Sequence, residues 1–164
     1  MSTTPQRTGA HLDSARIRCL AHPLRARLLA TLRLDGPATS TTLAHRLDTN
    51  TGATSYHLRR LEKVGLVEEL TDRGTARERW WQAAHAFTVW NQADFESDPT
   101  DRAAAEWLMG HSSRVMSGWR DDWLATRQDY SKAWREAAGV SDYHLDLTPA
   151  QLHALNRDLL SVLD

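Results

Sequence analysis

The chain has 164 residues, 41% of them hydrophobic and 25% charged, with a net charge of −1. That is enough for one compact domain or a small domain with an appendage, and it excludes a disordered or fibrous class. No apolar run approaches the roughly 18 residues of a membrane span, and MSTTPQRTGAH lacks the apolar core of a signal peptide, so we expect a cytoplasmic protein with no membrane partner.

Residues 1–10 are polar, contain Pro5 and Gly9, and read as a mobile arm. A helix is expected from His11, with Leu12, Ala15, Ile17, Cys19 and Leu20 as its apolar bulk, ending near His22 because Pro23 follows. Pro23 then opens a helix to Leu34, with Leu24, Leu28, Leu29 and Leu32 at helical spacing, stopped by Asp35-Gly36-Pro37. Thr39, Ser40 and Thr41 offer cap hydroxyls for a short helix to Leu47. Asp48-Thr49 makes a turn, Asn50 caps a helix to Val64, and Gly65 ends it. Leu66–Thr71 and Arg77–Gln82 read as two strands, with Arg73-Gly74-Thr75-Ala76 as the loop between them.

Residues 84–100 read as a connector. Asp98 or Thr100 caps a long helix to about Arg127, whose stripe is Ala104, Leu108, Val115, Trp119 and Trp123. Val140–Leu147 reads as a short strand. Thr148-Pro149 opens a last helix with Leu152, Leu155, Leu159 and Leu160 inward. The expected class is α+β and mostly helical: a winged helix-turn-helix with a two-stranded wing over residues 11–83, followed by a helical extension over 101–164.

Charge follows the same division. Residues 1–82 hold 13 Lys+Arg against 8 Asp+Glu, whereas residues 83–164 hold 7 against 13. A basic half can meet a polyanion while the acidic half faces away.

The segments His22-Pro23-Leu24-Arg25, Leu43-Ala44, Ser55 to Glu62 (SYHLRRLE) and Gly65-Leu66-Val67 together resemble the ArsR-type winged-helix repressors, over roughly residues 12–83. The strand ending Arg77-Glu78-Arg79-Trp80-Trp81 fits the same pattern. The resemblance implies a homodimeric transcriptional regulator that binds double-stranded DNA. Two departures stand out. The metal-sensing members carry a cysteine-rich motif before the recognition helix, where this chain has Leu43 to Asp48 (LAHRLD) with no cysteine. Thr54 stands where an aliphatic residue is usual.

A helix about 10–12 Å across fits the B-DNA major groove, and its leading residues meet the base edges. On the helix from Asn50 to Val64, Thr51, Ser55 and Tyr56 are therefore the expected base readers, and Gly52 permits close approach. Arg59 and Arg60 suit backbone phosphates. Arg73, Thr75 and Arg77 flank the wing loop, where arginine gains from a narrow minor groove. His57 lies beside the inward Leu58 and Leu61 and reads as a packed histidine. Trp80 and Trp81 must point to opposite faces of their strand.

The remaining chemistry is sparse. Cys19 is the single cysteine, which excludes an internal disulfide and a zinc site built from several thiolates. None of the 8 histidines has His-x-x-x-His spacing. Asp142, His144, Asp146 and His153 converge only if the strand packs near the last helix. There is no Gly-rich phosphate loop and no nucleophile elbow, so neither an enzyme nor a bound cofactor is expected. Trp107, Val115, Trp119 and Trp123 are the expected dimer or effector surface, with a small-molecule or protein effector left open. Two other readings remain at this stage: a winged-helix protein-interaction module, and a metal-responsive regulator using histidine and carboxylate ligands.

Overall fold

Local side chains set most of the helix ends in the computed structural model of the protein, which describes residues 9–75, 78–139 and 143–163. Helix α1 (Ser14–Leu20) begins where the Asp13 side chain accepts from the Arg16 N–H. Helix α2 (Pro23–Asp35) starts with proline at its first position, and His22 Nδ1 accepts from the Leu24 N–H. Thr39 caps α3 (Ser40–Arg46), and a turn with Asp48 at φ 50° leads to Asn50. Asn50 accepts from the Ala53 N–H at 2.8 Å and so starts α4 (Thr51–Lys63). Gly65, at φ 69°, closes α4 in the left-handed region that favours glycine, and the Leu66 N–H returns to the Leu61 carbonyl.

The strands need partners from further away. Strand β1 (Gly9–His11) pairs in parallel with β5 (Phe87–Val89). Gly9 lets the two strands lie close there, because a Cβ would overlap the Phe87 ring unless that ring moved. Strands β2 (Ala38–Thr39), β3 (Val67–Thr75) and β4 (Glu78–Ala83) form an antiparallel sheet in the order β2-β4-β3. Trp81 stands opposite Ala38 on one side and Glu69 on the other. The register shifts between Leu70 and Gly74, a bulge that bends the wing.

Several expectations are amended here. Helix α1 begins at Ser14, not His11, since Asp13 is the cap and His11 is in a strand. Gly9 and Ala10, read as part of an arm, pair with β5, and Ala10 is buried. Arg73, Gly74 and Thr75, read as loop, belong to β3, since the bulge lets pairing resume beyond it. The stretch 84–100 contains β5 and a 3-10 turn, Gln92–Phe95. Residues 143–147 form no strand, and Val140 to Asp142 lie outside the described residues.

Ile17, Leu28, Leu43, Leu58, Leu61, Leu66, Val67 and Trp81 are fully buried in one core. Trp80 is half-buried on the other face of β4, as alternation requires. Thr54 sits wholly inside, and its hydroxyl reaches the Asn50 carbonyl at 3.1 Å. That bond satisfies the polar group which takes the aliphatic position. Helix α5 (Pro99–Thr126) starts over the Asp98 carboxylate, which accepts from the Thr100 and Asp101 N–H groups. Buried Asp101 pairs with Arg18 of α1. The Arg18 hydrogen bond, then one from Ser14, holds the Asp101 carboxyl below its usual range.

The chain divides into two compact units, Met1–Met109 and Gly110–Asp164. The second contains the rest of α5, a 3-10 turn at Arg127–Asp129, α6 (Lys132–Ala137) and α7 (Pro149–Leu163). Leu152, Leu159 and Leu160, expected inward, are exposed, and Leu155 is partly covered. Their helical spacing marks an apolar face, but no described residue of this unit is buried.

Candidate nucleic-acid interface

Helices α3 and α4 form the helix-turn-helix, and β3 with β4 forms the wing. Helix α4 buries Thr54, Leu58 and Leu61 and turns its other side outward. Thr51, Gly52, Tyr56, Arg59 and Arg60 are exposed, and Ser55 is half-buried. Arg73 is exposed on β3. Thr75 lies in the same strand with its side chain outside what is described, and Arg77 is outside the described residues.

The structure groups some of these residues and separates others. A cleft of about 210 Å³ opens between α3, α4 and β4. Thr39, Ser40 and Thr41 line it from the start of α3, and Thr51, Ser55 and Arg59 line it from α4. Glu78, Arg79 and Trp81 form the third wall. Arg79 is held by Glu69 across the hairpin at 3.1 Å. Thr39 has its hydroxyl occupied as the α3 cap, 3.2 Å from the Thr42 nitrogen. Gly52, Tyr56 and Arg60 are not part of this cleft.

Ser40, Thr41 and Arg79 therefore join the site although the sequence reading assigned them no binding role. The hydroxyl run was visible only as capping chemistry, and Arg79 only as part of a strand. Nothing local indicated that β2 would bring β4 alongside the start of α3.

His57 is half-buried, its ring 4.4 Å from His22 and 5.1 Å from Tyr56. Its Nδ1 is buried with no hydrogen-bond partner among the described residues. Burial, then the neighbouring His22 and Arg25, pushes the His57 imidazole below its usual pKa. Burial and Arg25 do the same to His22. Both shifts favour the neutral imidazole, which suits packing between α2 and α4. Cys19 lies beneath, its Sγ 3.5 Å from the Arg60 carbonyl, and burial raises its thiol. A buried thiol so raised is a poor nucleophile.

The other candidates do not assemble. Among the described residues no three His, Cys, Asp or Glu side chains come together around a possible ion, so His144 and His153 gain no third ligand there. Asp142 lies outside the described residues. Trp107 packs against the core of the first unit, Val115 and Trp123 are half-buried, and Trp119 is 54% exposed. No described helix is long and apolar enough to cross a membrane.

Residues 20–69 match the family model described as a helix-turn-helix domain. No curated protein matches the chain. Among solved structures, HlyU from Vibrio cholerae is similar at 23% identity, over 57% of this chain and 84% of that one, with a TM-score of 0.38. A transcriptional regulator homologue from Pyrococcus horikoshii is 22% identical over 62% and 87% of the two chains, with a TM-score of 0.37. A possible transcriptional regulator for arsenical resistance is 26% identical over 74% and 99%, also at 0.37. The matched helix-turn-helix segment covers α2 through α4, and the two wing strands β3 and β4 follow in order.

Proposed function

We propose that this winged helix-turn-helix protein binds double-stranded DNA sequence-specifically, as a homodimeric transcriptional repressor. The observation that carries the reading is the exposed face of α4. It presents hydroxyls, a tyrosine and two arginines on a helix whose opposite side is locked into the core. Such a helix can enter a major groove without losing its fold. Two copies would occupy half-sites about 34–36 Å apart.

The exposed apolar residues of the second unit support the dimer. Met116, Trp119, Trp134, Leu152 and Leu159 are all open to solvent in the single chain. A second copy covering them would remove that surface from water, and aromatic residues concentrate at such interfaces.

A gel-shift screen over fragments of the source genome tests the reading. Binding should be salt-sensitive, and Arg59→Ala with Arg60→Ala should weaken it and flatten its salt dependence. Unchanged affinity and slope in that double variant would remove α4 from the interface.

A further inference from the structure

The outward side of α4 carries two stripes. Thr51, Ser55 and Arg59 recur at four-residue steps and line the cleft. Gly52, Tyr56 and Arg60 recur one residue later, outside the cleft and exposed. A duplex offers two contrasting shapes to these stripes. Its phosphates stand out as ridges, whereas its base edges lie at the floor of a major groove about 8.5 Å deep. A ridge is met by a hollow, and a floor is reached only by a group that protrudes.

Resting on the DNA-binding reading above, we propose that the cleft between α3, α4 and β4 seats one backbone phosphate, and that base reading falls to the neighbouring stripe led by Tyr56. This reverses the assignment expected for Thr51 and Ser55, which become anchors. It also adds Ser40 and Thr41 to the interface.

The chemistry of the hollow agrees with its shape. The Ser40, Thr41, Thr51 and Ser55 hydroxyls make no hydrogen bond to another described side chain, and Arg59 has no carboxylate partner among the described residues. A phosphodiester accepts hydrogen bonds and donates none, so hydroxyls and a guanidinium complement it. A cavity of about 210 Å³ falls below the roughly 300–1,000 Å³ of ordinary small-molecule pockets. It suits one group better than a whole effector. Glu78 is the acidic member of the lining. Its carboxylate opposes a phosphate and keeps the seat from binding any duplex too tightly. Tyr56, 56% exposed, rests its ring edge against His57, which orients it outward at little entropic cost.

The test selects duplexes from a random-sequence pool with the full-length protein, then compares affinity for a selected duplex and a scrambled one. Ser40→Ala with Thr41→Ala should weaken both by a similar factor, about tenfold, with the base preference kept. Tyr56→Ala should cut the ratio between the two duplexes by about tenfold. Glu78→Gln, a surface change that leaves the core alone, should tighten both. An altered base preference in the Ser40/Thr41 variant, or intact discrimination in Tyr56→Ala, overturns the proposal. Weaker binding by Glu78→Gln overturns it as well, even if the double variant fails to fold. Wild-type protein that retains no duplex defeats the DNA reading itself, a result distinct from those three.

Discussion

Residues 9–109 and residues 110–163 treat the same kinds of side chain in opposite ways. The first stretch takes Ile17, Leu28, Leu43, Leu58 and Trp81 fully out of water. The second leaves Trp119, Trp134, Leu152 and Leu159 exposed although its helices are amphipathic. Helical periodicity says that a face is apolar, and only a partner surface decides whether that face is buried. The helix-turn-helix supplies its own partner by wrapping α1, α2 and α3 around α4 and closing them with the sheet. Among its described residues the second unit shows no comparable wrapping, and the proposed dimer is what would supply it.

The comparison breaks most visibly at Leu58. Leu58→Ala should cost about 2–5 kcal/mol in chemical unfolding, because a fully buried leucine leaves a cavity that a well-packed core only partly closes. Leu159→Ala, at a residue 57% exposed, should cost less than about 0.5 kcal/mol in the dissociated chain. The same change should weaken self-association in sedimentation equilibrium. A Leu159→Ala loss as large as that of Leu58→Ala, at concentrations where the chain is monomeric, would show that the second unit has a core of its own.

Within the first unit, Asn50→Ala should lower stability by about 1 kcal/mol, the usual cost of losing an N-cap. It should also weaken DNA binding, since the frayed turn contains Thr51. Gly65→Ala should cost about 1–2 kcal/mol through its positive φ, even though the nearest side-chain atom to a new Cβ would be 3.6 Å away.

A smaller effect separates the units by pH. The His22 and His57 imidazoles have folded-state pKa values lowered by burial and Arg25. The unfolded chain therefore takes up protons first as pH falls. The stabilisation from keeping these rings neutral is complete above about 6.5 and is lost as pH drops from there through the lowered folded values. Melting temperature should decline between pH 7 and pH 5, and His57→Phe should flatten that decline. An equal decline in both proteins would assign it to groups other than this ring pair.

Helix boundaries in the first unit were legible because their causes are local. Asn50 lies three residues from the N–H it caps, Pro23 follows the residue it forces out of the helix, and Gly65 is where the chain must turn left-handed. The strand set was harder to read. Gly9–His11 pairs with Phe87–Val89 across most of the first unit, and a three-residue strand carries too little pattern to announce a distant partner. Arg73 to Thr75 were misread as loop because glycine and polar residues mark a reversal without saying that a bulge lets pairing continue to Thr75, and Ala76 lies outside the described residues. In the second unit, the alternation of Val140–Leu147 suggested a strand, but residues 143–147 have no neighbouring strand to bond among the described residues.

The site divides in the same way. The residues of the exposed α4 face could be named from periodicity, since the buried Leu58 and Leu61 fix which side is left over. Their division of labour could not. The proposed division rests on β4 coming alongside the start of α3, which makes the Thr51 and Ser55 stripe one wall of a hollow.

By itself, the sequence determined α2 to α5 and α7, the Thr39 and Asn50 caps, the polar face of α4 and the resemblance to a winged helix, because each depends on residues within a few positions of one another. Tertiary structure alone decided the β1–β5 pairing, the cleft and its Ser40, Thr41 and Arg79 walls, and which apolar faces remain uncovered. Those features depend on the meeting of segments far apart in the chain, and curvature and burial belong to the assembled surface rather than to any one stretch of it.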